Sequence, residues 1–248
     1  MSSLGKKYIM ALSGLVLVGF AIGHMVGNLQ MFLHPDWINE YAYKLQHLPY
    51  GLLWVVRSVL LVCIVVHILT AVLLVIENHR ARPEKYVAKA QLQATFASRT
   101  MRYSGIILLF FIIFHIMHFT VQNIHPEFLH LETELEGVGT MHHVYDKLLP
   151  LGKTEVHDVY SMVVHGFSAQ FWYVSVFYLI SMALLSIHLR HGISSMFQSL
   201  GLRNALWRVR LDAIALILAI IVFIGFSSIP LASLAGLIEP ITPLVATH

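Results

Sequence analysis

Histidines stand inside stretches of the chain that are otherwise suited to lipid. The run LLFFIIFHIMHFTVQ contains His115 and His118, and comparable apolar runs contain His24, His67 and His188. Burying an imidazole without a hydrogen-bond partner costs on the order of 2–7 kcal/mol, and ionisable side chains at such positions mark function by default. A single histidine of this kind is explained by a hydrogen bond to a neighbouring helix, whereas four runs that each supply one favour a shared binding task.

The apolar runs that carry these histidines are long enough to cross a membrane. The 248-residue chain is 57% hydrophobic and 12% charged, whereas soluble domains carry about 25% charged residues. Five windows reach the roughly 20 apolar residues of a membrane span, and lipid forces their backbones into helices. The sequence therefore predicts a single-domain, all-α integral membrane protein with five transmembrane helices. The predicted spans are about 8–33, 52–76, 103–121, 164–187 and 213–235.

The distribution of basic residues predicts the direction of these spans. All but four of the 16 lysine and arginine residues fall in segments on the side of the N-terminus, and the exceptions are Lys44, Arg57, Lys147 and Lys153. Because cytoplasmic loops carry the excess of positive charge, the N-terminus is predicted to be cytoplasmic. There is no basic stripe with interleaved aromatic residues, so a nucleic acid is not an expected partner.

The segment 122–157 on the opposite side is acidic and rich in histidine, with Glu127, Glu132 and Asp146 among its acids. Its length is typical of a folded cap rather than a tight turn. A solvated loop without chemistry is an equally good interpretation of the sequence.

Depth along the helices sorts the membrane histidines into two pairs. With a rise of about 1.5 Å per residue, His24 lies roughly 24 Å along the first helix and His115 about 18 Å along the third. His67 lies roughly 14 Å from the inner boundary, and His188 lies close to that boundary at the end of the fourth span. The outer pair is then His24 with His115 or His118, and the inner pair is His67 with His188.

Two pairs of histidines at two depths match the needs of two b-type haems. Haem iron takes axial nitrogen ligands from opposite faces, and four-helix bundles hold cofactors between facing side chains. The first four helices are therefore predicted to form a haem-binding bundle. Ligation by two histidines leaves no open iron position and favours electron transfer. A zinc site is a weaker interpretation, because no cysteine or carboxylate accompanies these histidines.

Glycines of the first helix allow something to come close to it. Gly19, Gly23 and Gly27 recur every four residues, which gives a stripe that a second helix or a flat macrocycle can approach. The sequence does not decide between these two occupants. Gly105 on the third helix and Gly192, shortly after His188, are candidates for similar contacts.

The chain resembles the dihaem cytochrome b subunit of succinate:quinone oxidoreductases and fumarate reductases, of the kind with five helices in one polypeptide. The resemblance runs through nearly the whole chain, in order and in spacing. Four segments carry it: GHMVGNLQ at His24, VVHILTA at His67, GIILLFFIIFH ending at His115, and SIHLRHGISSMFQSLG around His188.

The resemblance implies which histidine binds which haem. His67 and His188 would hold the haem nearer an iron–sulfur protein, and His24 and His115 would hold the distal one. His115 is preferred to His118 as the ligand, because the family's ligand histidine is followed four residues later by a phenylalanine, as in HIMHF.

The resemblance also implies a role in a larger enzyme of the respiratory chain and tricarboxylic acid cycle. A flavoprotein subunit and an iron–sulfur subunit would dock on the cytoplasmic face of a bacterial cytoplasmic membrane. The chain would then be the subunit of succinate dehydrogenase or fumarate reductase that does not bind the dicarboxylate. It would carry electrons to or from a membrane quinone, either menaquinone or ubiquinone.

Two alternatives remain open from the residues. The chain could be the cytochrome b anchor of another respiratory dehydrogenase or reductase, although those usually place their haem ligands on fewer helices. A transporter with a histidine proton relay is the other alternative. It is disfavoured because no buried acid accompanies the histidines and no mid-span proline signals a broken helix.

Overall fold

Helices make up most of the chain, as the long apolar runs predict. The computed structural model describes residues 2–81, 96–136 and 152–244, and the side chains of all of these except 96–99. In chain order the helices are α1 (Ser3–Leu29), α2 (Pro35–Gln46), α3 (Leu52–Arg80), α4 (Phe96–His115), α5 (Val159–Gly166), α6 (Trp172–Ser199) and α7 (Arg208–Leu234). Within these residues, every helix except α2 and α5 is long and apolar enough to span a membrane. The protein is thus an all-α, multi-pass membrane protein, as predicted.

The fourth span differs from its predicted window of 164–187. Residues up to Gly166 belong to α5, and a short 3₁₀ turn, Ala169–Phe171, separates α5 from the spanning helix α6. Hydropathy does not reveal this break, since α5 is as apolar as the span itself. At its other end α6 continues to Ser199, because a helix does not have to stop where the lipid ends. His188 therefore lies within α6 and not at its end.

Helix α4 changes its winding directly after His115. Residues Ile116–Thr120 form a π-helical extension of α4, and Gln122 then adopts a left-handed φ of 59°. Short π-helical segments are frequent at functional sites, where they redirect side chains. Here the extension contains His118.

The structure divides into two compact units. The first unit comprises Met1–His24, Trp54–Leu108 and Met182–Ile224. Polar contacts join its helices: Lys6 of α1 forms an ion pair with Glu77 of α3, and Ser194 of α6 donates a 2.6 Å hydrogen bond to Asp212 of α7. Asp212 also binds Arg203 at 2.8 Å.

The second unit comprises Met25–Leu53, Leu109–Ser181 and Gly225–His248. Strands β1 (Glu132–Glu136) and β2 (Lys153–His157) form an antiparallel hairpin in which Glu132 lies opposite His157. Helix α2 packs against α5 and β2, and Phe128, Leu131 and Met162 form a buried apolar cluster. The described part of the segment 122–157 is therefore folded. Residues 137–151, which include Asp146 and Lys147, lie outside the described residues.

A buried carboxylate holds three parts of the second unit together. Asp158 is fully buried and caps the N-terminus of α5 by accepting from the backbone N–H of Ser161 at 2.9 Å. It also accepts from the Asn39 side chain of α2 at 3.0 Å and from the hydroxyl of Thr242 at 2.6 Å. The single side chain thus connects α2, α5 and the segment after α7.

Candidate functional site

His67 on α3 and His188 on α6 face each other in the first unit. Their ring centroids are 6.4 Å apart and their planes make an angle of 57°. A metal–imidazole nitrogen bond is about 2.0 Å and the ring centroid lies roughly 1.1 Å behind that nitrogen, so two imidazoles on opposite sides of one metal ion have centroids about 6.2 Å apart. The observed separation fits two axial ligands of one iron.

The second ring nitrogen of each inner histidine has a hydrogen-bond partner. Nδ1 of His67 lies 3.2 Å from the backbone carbonyl of Met10 and 3.4 Å from the hydroxyl of Ser13. Nδ1 of His188 lies 3.2 Å from the hydroxyl of Ser104. Metal-binding histidines usually donate their other ring N–H to such a partner, which fixes the tautomer and the ring orientation. In both residues this leaves Nε2 as the nitrogen that can bind iron.

Each inner histidine lies against a glycine of a neighbouring helix. A Cβ atom added at Gly14 of α1 would lie 3.3 Å from Cε1 of His67, and one added at Gly105 of α4 would lie 3.7 Å from Cε1 of His188. The contact at Gly14 would be tighter than usual for a Cβ atom, so the missing side chain favours the approach of His67, whereas the contact at Gly105 would be an ordinary van der Waals contact.

The glycines of the α1 stripe have two kinds of surroundings, open space and an aromatic side chain. A Cβ added at Gly19 or Gly23 would meet no atom within 4 Å among the described residues, whereas one at Gly27 would meet the ring of Tyr41. The sequence left open whether a second helix or a flat macrocycle approaches this stripe. At Gly19 and Gly23 no described helix makes a direct contact. Gly27 accommodates an aromatic side chain.

His24 lies in the first unit and His115 in the second. The ring of His24 stacks on Phe20 of the same helix, with centroids 5.4 Å apart and an interplanar angle of 11°. Its predicted pairing with His115 stays a prediction.

In the second unit a tyrosine hydroxyl joins the two histidines of the HIMH segment. Nδ1 of His115 and Nδ1 of His118 each lie 3.2 Å from the hydroxyl of Tyr178 on α6. A tyrosine hydroxyl can accept from one ring and donate to another. The sequence offers no signal for this contact, because Tyr178 belongs to no recognisable motif.

His115 and His118 differ in their surroundings. His118 is fully buried, with its ring stacked on Phe119 at a centroid distance of 3.9 Å. A Cβ added at Gly166 would lie 3.1 Å from its Nε2, and this nitrogen has no hydrogen-bond partner among the described residues. By contrast His24, His67, His115 and His188 are all half-buried. His118 is enclosed by protein on every side, whereas the predicted ligand residues keep part of their surface accessible.

Protein side chains alone do not assemble a metal centre in the described residues. No group of three or more histidine, cysteine, aspartate or glutamate side chains that could hold a metal ion occurs there. The facing pair, His67 and His188, offers only two ligands. A metal held by this pair would need its remaining ligands from a group other than the described side chains.

The contacts of the inner histidines involve residues that the sequence did not single out. Gly105 was a candidate for a close contact, but Gly14 and the two serines, Ser13 and Ser104, were not. A Cβ added at the other candidate, Gly192, would meet no described atom within 4 Å. The signal available in the sequence is the repeated Ser-Gly dipeptide on the first and third spans. The role of the Met10 carbonyl cannot be read from residue types.

Comparisons with protein-family models, with curated proteins and with solved structures found no match to this chain.

Proposed function

We propose that this chain is a dihaem cytochrome b that anchors a succinate:quinone oxidoreductase in a bacterial cytoplasmic membrane. In this role it connects an iron–sulfur subunit, docked on the cytoplasmic face beside a flavoprotein, to quinone in the membrane. The choice of enzyme rests on the resemblance of the four histidine segments to that family. The proposal of a haem protein rests on the geometry of the inner pair.

The observation that carries the proposal is the arrangement of His67 and His188. Their 6.4 Å centroid separation fits two imidazoles on opposite sides of one iron. Each Nδ1 has a hydrogen-bond partner on a neighbouring helix, which leaves Nε2 of each ring as the proposed ligand nitrogen. A pair of histidines held only for structural hydrogen bonding would not need this separation.

The number of ligands also supports haem over a metal held by protein alone. Two histidines are insufficient for the four-coordinate sites that zinc prefers, and no third ligand completes the site among the described residues. A porphyrin provides four nitrogens and needs two axial ligands from the protein. The bound haem would supply reversible one-electron transfer.

For the second haem the proposal keeps His24 and His115 as ligands. Support comes from the second unit, where His115 is half-buried and its Nδ1 lies beside the Tyr178 hydroxyl. Contacts of the Tyr178 hydroxyl with Nδ1 of His115 and with Nδ1 of His118 would orient both rings, with Nε2 of His115 as the proposed ligand nitrogen. The full burial of His118 argues against that residue as the ligand.

The proposed enzyme role is tested on membranes from cells that express the tagged full chain. We expect the chain to co-purify with a flavoprotein and an iron–sulfur protein, and the complex to reduce a quinone analogue with succinate. The variant His188→Ala should lose quinone reduction while succinate still reduces a soluble dye at the flavoprotein. The matched control is His191→Ala, whose ring contacts Ser195 of the same helix.

If the chain contains haem but does not co-purify with subunits that oxidise succinate, the choice of enzyme is wrong. The chain would then be the anchor of another respiratory complex. If the chain contains no haem and histidine variants abolish transport, the alternative of a transporter with a histidine proton relay is favoured.

A further inference from the structure

The same dipeptide, Ser-Gly, meets each of the two inner histidines from a different helix. On α1, Ser13 contacts Nδ1 of His67 and Gly14 faces the Cε1 edge of that ring. On α4, Ser104 contacts Nδ1 of His188 and Gly105 faces its Cε1 edge. Each of the two histidines thus has a serine hydroxyl at Nδ1 and a glycine beside Cε1, and the glycine contact is closer at His67 than at His188.

The direction of these hydrogen bonds follows from the other contacts of the serines. The Ser13 hydroxyl donates within its own helix to the carbonyl of Ile9 at 2.8 Å or of Met10 at 3.1 Å. The Ser104 hydroxyl donates in the same way to the carbonyl of Met101 at 3.1 Å. Because each hydroxyl hydrogen is used there, the hydroxyl oxygen is left to accept. We therefore assign the proton to Nδ1 of each histidine.

The two histidines differ in how many acceptors their Nδ1–H has. His67 has two, the Met10 carbonyl and the Ser13 hydroxyl, and a carbonyl oxygen can only accept. Among the described residues, the Ser104 hydroxyl is the partner found for Nδ1 of His188. Replacing Ser104 would therefore change the hydrogen bonding of its histidine more than replacing Ser13 would.

We propose that Ser13–Gly14 and Ser104–Gly105 are positioning elements that orient the two imidazoles and set the strength with which they donate electrons to the metal, with Ser104 the dominant one. This inference rests on the proposed haem function. An acceptor at Nδ1–H raises the basicity of the ligating imidazole, and a more basic ligand favours the ferric state. The loss of the acceptor should therefore raise the midpoint potential of the inner haem.

The test compares variants of the purified full chain by haem content, by potentiometric titration and by the low-temperature EPR spectrum, which reports imidazole orientation. Ser104→Ala should raise the reduced-to-oxidised ratio of the inner haem at fixed potential by up to about tenfold, equal to about 59 mV for one electron. Ser13→Ala should give a smaller increase, because the Met10 carbonyl remains. Ser104→Thr keeps a hydroxyl and should restore the wild-type potential and EPR spectrum.

The matched control is Ser186→Ala on α6. Its hydroxyl donates to the carbonyl of Ala219 at 2.9 Å, so its loss should leave the potential unchanged. Loss of the inner haem from Ser104→Ala, with retention in Ser104→Thr, would also support the inference, because the hydroxyl alone distinguishes them.

Two results would overturn the inference while leaving the proposed function intact. One is a wild-type potential and EPR spectrum in a Ser104→Ala chain that keeps both haems. The other is an equal loss of the inner haem from Ser104→Ala and Ser104→Thr. A wild-type chain without haem would instead contradict the proposed function itself.

Discussion

His67 and His188 face each other from α3 and α6, with ring centroids 6.4 Å apart and with Nδ1 of each ring bonded to a neighbouring helix. Residues 67 and 188 are far apart in sequence, and neither belongs to a motif that is specific alone. Their spatial relationship is what distinguishes a ligand pair from two separate polar residues in apolar helices. The account of function depends on this relationship first.

The first prediction concerns the inner pair. His188→Gly should lower the haem content from two to one per chain, because the remaining ligand, His67, holds only one axial position. Imidazole added during expression should restore the second haem, since it can occupy the space left by the side chain. Haem is counted by the pyridine haemochrome absorbance per protein. His191→Ala should keep both haems, and two haems in His188→Gly without imidazole would exclude His188 as a ligand.

The second prediction separates His115 from His118. His115→Ala should remove the outer haem, whereas His118→Ala should leave both haems bound at a lower thermal stability, because it opens a cavity in a fully buried site. The cost of such a cavity is about 2–5 kcal/mol by analogy with other large-to-small replacements. The measurement is haem content together with the thermal midpoint in detergent. The opposite pattern, with haem lost only from His118→Ala, would reassign the ligand.

The third prediction concerns the shared hydroxyl of Tyr178. Tyr178→Phe should destabilise the protein by about 1–3 kcal/mol, since Nδ1 of buried His118 then lacks its partner. The potential of the outer haem should shift, while the inner haem should keep its wild-type potential. Tyr173→Phe, at an exposed position of the same helix, is the control. Equal stability of the Tyr178→Phe and Tyr173→Phe chains would show that the Tyr178 hydroxyl contributes nothing to stability.

The fourth prediction concerns the buried carboxylate of the second unit. Asp158→Ala removes the cap of α5 and leaves donors of Asn39 and Thr242 without their acceptor, at a combined cost of about 2–4 kcal/mol. Hydrogen exchange of the amides of β1, β2 and α5 measures the local opening free energy. Glu40→Ala, which breaks a surface pair with Lys44, should change it by less than about 0.5 kcal/mol. Unchanged protection in Asp158→Ala would contradict the assigned role.

The fifth prediction is a pH dependence of the hairpin. Burial lowers the pKa of His157 from 6.5, and this effect outweighs the opposing contributions of the Leu131 backbone, Asp158 and Glu132. Below pH 6.5 the unfolded hairpin therefore binds more protons than the folded one, so stability falls as the pH falls. Amide protection of β2 should decrease between pH 7.5 and about 5.5. His157→Gln should remove this decrease.

The control for the pH effect is a neighbouring carboxyl group, that of Glu155, whose pKa is shifted in the opposite direction. A hydrogen bond to Glu132 and the charge of that residue raise the pKa of Glu155 above 4.5. This group makes the folded hairpin more stable as the pH falls. Glu155→Gln should thus steepen the loss of protection at acidic pH, and a shallower loss would contradict the assignment of the two groups.

The five spans could be predicted because lipid imposes length and apolarity on every residue of a crossing helix. The break between α5 and α6 could not be predicted. The chain is apolar on both sides of the turn Ala169–Phe171, and a hydropathy window averages over that turn. The continuation of α6 beyond the predicted window could not be predicted either. Hydropathy marks where lipid ends, whereas α6 continues to Ser199.

The candidate ligands could be identified from the sequence because histidine is rare and costly in apolar runs. Their supporting contacts could not, since the acceptors are a backbone carbonyl at Met10 and hydroxyls at Ser13, Ser104 and Tyr178. Serine in a membrane helix ordinarily bonds to its own helix, as Ser104 also does through Met101. Only the packing of neighbouring helices shows which serine also meets a histidine.

The most direct test of the account is a reduced-minus-oxidised spectrum of the purified full chain, combined with a pyridine haemochrome assay. We expect two b-type haems per chain, with the low-spin bands of iron bound by two histidines. Absence of haem from a folded chain would contradict it, and His67 and His188 would then be a polar contact between helices.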